Sequence, residues 1–153
     1  MKTLATKAAA VTAVSLLLGL GLAGNAQAAA RDGQDPISAG CAGDAITAKE
    51  AQIWDGYTNS YDGKIQLRYS PSCRTIWGRV IAYKGVGIGM SQVYRNSDNA
   101  YQQCTIASGN WNDSLGGYSC YTPMLNDAGV TGFATGWVHD MWNHISSEST
   151  GSY

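Results

Sequence analysis

The sequence predicts a mainly β protein: a small, disulfide-stapled antiparallel sandwich or barrel with an extended N-terminal arm. Three observations lead there. About six or seven short runs of β-branched, aromatic or alternating residues recur between turn signals. No 3.6-residue periodicity is sustained outside residues 45–54. Four cysteines, an even number, follow what reads as an export signal.

That signal occupies residues 1–28. Lys2 and Lys7 give a positive start, an apolar stretch is densest from Val11 to Leu22, and Ala26-Gln27-Ala28 offers small residues at the two positions a signal peptidase reads. The apolar run is too short to be an anchor, and no later segment reaches the roughly 20 residues of a membrane-spanning helix. The expectation is a secreted, extracellular protein with no membrane anchor, beginning near Ala29.

The elements follow in order. Residues 29–40 (AARDGQDPISAG) are polar, with Gly and Pro, and read as an extended arm before Cys41. Few core contacts are expected of it, so removal of 29–34 should leave the fold intact. Ala45–Trp54 is ambiguous, Ala and Glu favouring helix while Ile46 and Ile53-Trp54 suit a strand. Asp55–Gly63 is rich in turn residues. In Lys64–Tyr69 the apolar Ile65, Leu67 and Tyr69 alternate with polar neighbours, the clearest strand signal in the chain.

Ser70-Pro71-Ser72 breaks that strand, and Thr75–Tyr83 (TIWGRVIAY) starts the next. Lys84–Gly89 holds three glycines and should bend. Met90–Arg95 and Tyr101–Ala107 read as strands around the turn Asn96–Asn99. Ser108–Gly117 reads as a polar loop carrying Trp111, and Tyr118–Thr122 and Gly132–Val138 as the last strands. The predicted organisation is a signal (1–28), an arm (29–40), one β-rich domain (41–145) and a polar, frayed tail (146–153).

Cys41, Cys73, Cys104 and Cys120 form no CxxC pair, which argues against zinc or redox chemistry and for disulfides. Three pairings are formally possible. Cys41–Cys73 and Cys104–Cys120 are favoured because each pair flanks its own block of strand-like sequence.

The segment Leu67–Val80 (LRYSPSCRTIWGRV), with Asp35-Pro36 and Gly40-Cys41 upstream, resembles the YjfA-like domain of unknown function found in secreted proteins of actinobacteria and bacilli. The shared features are the DP…GC arm, the strand ending in LRYSP, the second Cys, a Trp four residues beyond it and an Arg two further on. The match spans roughly residues 33–95. It implies export, a compact β-rich domain and a Cys41–Cys73 bridge, and it brings no activity with it.

Charge excludes some functions. With Lys2 and Lys7 gone with the signal, eight cations face eleven carboxylates, a net charge of −3. Nucleic-acid binding needs clustered cations against phosphates, and adsorption to an anionic membrane needs a basic patch. No nucleic-acid partner and no cofactor is expected.

His139 and His144, the two histidines, flank Asp140 in WVHDMWNH. Their i, i+5 spacing is not that of a zinc-binding helix, and no third ligand suggests itself. No metal site is predicted. There is no GxSxG elbow. Asp55, Asp62, Asp98, Asp113, Asp127 and Asp140 are available to a carboxylate pair, but most sit beside Gly or Asn, where Asp serves turns. The chain is therefore read as non-catalytic.

The aromatic residues make better candidates. Trp111, with Asn112 and Asp113, has the composition of a sugar-stacking or protein-recognition loop. Trp137, His139 and Trp142 form a second candidate group, Trp137 being placed in the core by its alternation with Phe133 and Thr135. Trp54 and Trp77 are also assigned to the core. The expected function is a secreted binding module: first, a subunit or adaptor of an extracellular assembly or an inhibitor, its arm adding to a partner protein. The alternatives are a cell-wall glycan-binding module built on Trp111, and a small secreted hydrolase using His139 and Asp140.

Overall fold

The computed structural model describes residues 31–83, 85 and 87–153. The predicted signal and the first two residues of the arm lie outside the described residues. Among the described residues ten strands follow in chain order: β1 (Ile46–Asp55), β2 (Ser60–Ser70), β3 (Thr75–Ala82), β4 (Gly89–Arg95), β5 (Tyr101–Ile106), β6 (Trp111–Asn112), β7 (Gly117–Tyr121), β8 (Leu125–Asn126), β9 (Gly132–His139) and β10 (Ile145–Ser149). They form two antiparallel sheets that do not close into a barrel. One runs β1-β2-β3-β7-β6, with β8 also on β3, and the other runs β10-β9-β4-β5.

The sandwich core lies between the sheets. Ile53, Ile65, Leu67, Ile76 and Val80 from the first meet Val93, Ala134 and Val138 from the second. The sheets approach closely at Gly78 of β3. A Cβ there would stand 2.4 Å from Ser91 Oγ of β4, so only glycine fits. Cys104 of β5 is bonded to Cys120 of β7, which joins the two sheets covalently.

β3 is buried on both faces, which explains its unbroken apolar run. On its outer face Trp77 packs with Met124 and Cys41 in a second, smaller core. The Cys41–Cys73 bridge closes that core beneath the N-terminal segment. Arg31 donates to both of its sulfurs, at 2.8 Å and 2.9 Å.

Several expectations change here. Ala45–Trp54 resolves as strand: β1 pairs along β2 and turns Ile53 inward. Trp54 points outward and is 51% exposed, because its neighbours Ile53 and Asp55 take the inward positions. Trp137 is half-buried on the outer face of β9, where Ala134, Gly136 and Val138 hold the inner one. The tail is not frayed: β10 pairs with β9 from Ile145 to Ser149, Thr150 is buried, and Tyr153 exchanges two backbone hydrogen bonds with Gly132.

The arm is not extended over 31–40, where the chain is a run of turns docked on the domain. Gly33 N donates to Met124 O, Met124 N donates to Gln34 O, and Pro36 is buried. Backbone groups that have partners in the folded domain make this stretch part of the fold.

Candidate functional site

Two clefts collect the predicted residues. The first, of about 610 Å³, lies between the N-terminal segment and the β6–β7 hairpin. Asp35 and Ile37 form one wall, Asn110 and Trp111 the other, and Arg79 and Tyr121 line it between them. Trp111 belongs to a two-residue strand and pairs with Tyr118, so it is better fixed than a loop residue would be.

Its ring meets Tyr118 edge-on at 5.2 Å, its indole N–H donates to Asp113 at 2.8 Å, and half of it remains exposed. Asn112 accepts from the Leu115 backbone N–H and closes the hairpin turn. Two of the three predicted recognition residues thus position the third. Arg79 donates to Gln66, and burial, reinforced by Arg68, pulls its pKa down from the ordinary guanidinium value. Asp35 is held below the usual carboxylate range, chiefly by the Ser38 backbone N–H.

The second cleft, of about 360 Å³, is lined by Thr58, Ser60, Asp62, Gly85, Asp140 and Trp142. Gly85 has a φ of +96°, and a Cβ there would stand 2.1 Å from His139 O, so the glycine lets this wall close. Asp140 Oδ1 accepts from the backbone N–H groups of Trp142 and His144, each at 2.8 Å. That arrangement turns His144 back, and its Nδ1 lies 3.1 Å from Asp140 Oδ2 and 3.6 Å from Asp55 Oδ2. Tyr57 stacks on the imidazole at 4.7 Å.

Asp55 ends β1 and is buried. The Thr58 hydroxyl and the Tyr57 backbone N–H both donate to it and hold its carboxyl below the usual range. Thr58 and Ser60 hydroxyls continue the chain of hydrogen bonds to Asp62 Oδ1. Asp62 owes its inward position to a bulge, since the β1–β2 register passes from Ile53↔Gly63 to Trp54↔Tyr61 and leaves it opposite no residue.

The sequence-predicted residues therefore divide. Trp142 and Asp140 meet at the second cleft, whereas His139 lies on the outer face of β9 with its ring 5.4 Å from Trp137. The His139–Asp140 pair imagined for a hydrolase is replaced by Asp140, His144 and Asp55. Asp55 joins from 85 residues upstream, through a pairing of β1 and β10 with their sheets that no local pattern displays.

Known proteins bear on these clefts only through the family. Residues 29–135 match the family described as "Protein of unknown function (DUF2690)". The chain is 30% identical over 110 residues to "Uncharacterized protein YjfA" of Bacillus subtilis (strain 168), covering 70% of this chain and 69% of that protein. No solved structure matches. The likeness over 33–95 thus extends past Cys104 and Cys120 into β9, and the chain belongs to the DUF2690 family of proteins of unknown function.

Proposed function

We propose that this is a secreted, non-catalytic module that binds a cell-wall glycan in the Trp111 cleft. One observation carries the reading: a half-exposed indole, fixed by its strand and by Asp113, beside a guanidinium, a carboxylate and amides in one open cleft. An apolar ring face with a few placed polar groups suits a sugar, whose C–H face stacks while its hydroxyls are hydrogen-bonded. Two disulfides and the signal-like N-terminus fit an oxidising compartment outside the cell.

A protein partner engaged through a free arm has less support, because 31–40 is docked on its own domain. The test is retention of the purified protein on insoluble peptidoglycan or chitin, beside melting curves. Wild type should be retained on one polymer, and Trp111→Ala should lose retention with little change in melting. Absence of retention on both polymers, or retention indifferent to Trp111→Ala, overturns the reading. Stoichiometric co-purification with a protein partner from spent medium, lost in Trp111→Ala, would replace it with the adaptor or inhibitor reading.

A further inference from the structure

We propose that Asp55, Asp140 and His144 form a binding site for a divalent cation of the zinc type beside the second cleft, which it adjoins through Asp140. The argument starts from a mismatch. Two buried carboxylates converge on one imidazole nitrogen, at 3.1 Å and 3.6 Å. An Nδ1–H can serve the nearer oxygen, but 3.6 Å is too long for a hydrogen bond to the second. In the Nε2–H tautomer Nδ1 is a lone pair, and both carboxylates are then aimed at a lone pair that repels them.

A cation among the three atoms removes the conflict. Zinc sits about 2.0–2.2 Å from nitrogen and oxygen ligands, which places tetrahedral ligand atoms about 3.4 Å apart. The two distances from Nδ1 bracket that value, and all three ligand atoms lie within 4.8 Å of one another. Each carboxylate is also pre-oriented. Asp140 Oδ1 is held by two backbone N–H groups and Asp55 Oδ1 by that of Tyr57, so the Oδ2 of each faces the imidazole; the Thr58 hydroxyl, which donates to Asp55 Oδ2 at 2.6 Å, fixes that oxygen further. Such outer partners are what metal ligands need to keep their aim. The imidazole selects a borderline cation over calcium, which prefers oxygen alone.

Asp62 is the independent observation. It is 1% exposed, lines the same cleft as Asp140, and its Oδ2 accepts no hydrogen bond among the described residues. A buried carboxylate oxygen without a donor is costly. Three side-chain ligands leave a fourth position on zinc for water, and that water has protons to donate to such an acceptor. Among the described residues, no Lys or Arg makes a salt bridge to Asp55, Asp62 or Asp140. Metal binding needs a neutral imidazole, so it releases whatever proton Nδ1 carries.

The experiment titrates zinc into the chelator-treated full protein by calorimetry, with Co²⁺ as a spectroscopic substitute and melting curves alongside. Wild type should bind one zinc and melt higher with it, since a ligand specific to the folded state stabilises it. His144→Gln and Asp140→Asn should each weaken binding at least about 10-fold, and Asn at 140 keeps the acceptor for both backbone donors should the first variant fold poorly. His139→Ala, on the outer face of β9, should bind as wild type does. Absence of stoichiometric zinc overturns the proposal. So does binding that survives His144→Gln and Asp140→Asn, or that is lost in His139→Ala.

Discussion

Arg95 Nη1 lies 2.8 Å from Asp32 Oδ2 and ties the N-terminal segment to β4 across 63 residues of sequence. Asp32 Oδ1 accepts from the Asn126 backbone N–H on β8, so one carboxylate clamps three parts of the chain. Arg95 also binds Asp98 at 2.8 Å and holds that carboxyl down to about 2. The Asp32→Ala variant leaves a part-buried N–H and part of a guanidinium unmatched. We expect a loss of about 1–2 kcal/mol, read as a lowered urea midpoint. Removal of 29–34 should cost more, because the Gly33 and Gln34 pairing with Met124 goes with it. An unchanged midpoint in both variants would show that the segment is a passenger.

Much of the fold was legible because the relevant signals are local. Ile65, Leu67 and the apolar block of β3 announce strands through period two and through burial on both faces. Nested cysteines suggested the bridges that the structure contains. What escaped depends on distant pairing. β10 is polar, ISSES, and becomes a strand only because β9 supplies its hydrogen bonds. The docked arm is a stretch of turns whose partners, Met124, Asn126 and Arg95, lie far along the chain. At the sites, Trp111 was visible as an aromatic among polar residues. The Asp55–Asp140–His144 group was not, since its members come from opposite ends of the domain and the Asp62 bulge leaves no mark in the sequence.

The three tryptophans of the first sheet should separate by burial. Trp77 is 4% exposed in the small core with Met124 and Cys41, whereas Trp54 and Trp111 are each half-exposed. Trp77→Ala removes a ring from a closed space and should cost about 3–5 kcal/mol. Trp54→Ala loses its contact with Tyr61 at 5.5 Å, and Trp111→Ala its contact with Tyr118. Each of these should cost no more than about 1–1.5 kcal/mol. Chemical denaturation of the three variants checks the order. A loss for Trp111→Ala as large as that for Trp77→Ala would make the exposed ring structural and remove it from the recognition face.

Asp127 gives a pH dependence of defined sign. Burial pushes its carboxyl up to about 6, against the pull of Arg74, and its Oδ1 has no hydrogen-bond donor among the described residues. Below about pH 4 the carboxyl is protonated in both folded and unfolded chains and contributes nothing. Between about pH 4 and 6 the folded state keeps a proton that the unfolded state has released, so stability falls as pH rises. Above that range both states are ionised, and the full penalty is present and constant. Asp127→Asn removes the charge and keeps the shape. It should match wild type near pH 3.5, gain on it between pH 4 and 6, and remain more stable at pH 7. The gain should be of the order of 1 kcal/mol, because the half-buried group is partly screened by solvent. Arg74 and Tyr69 also feel the Asp127 charge, so Arg74→Ala should enlarge the wild-type fall by removing the cation that offsets the carboxylate. A gain independent of pH, or an Asn variant less stable at pH 7, would mean that the carboxylate is stabilising where it sits.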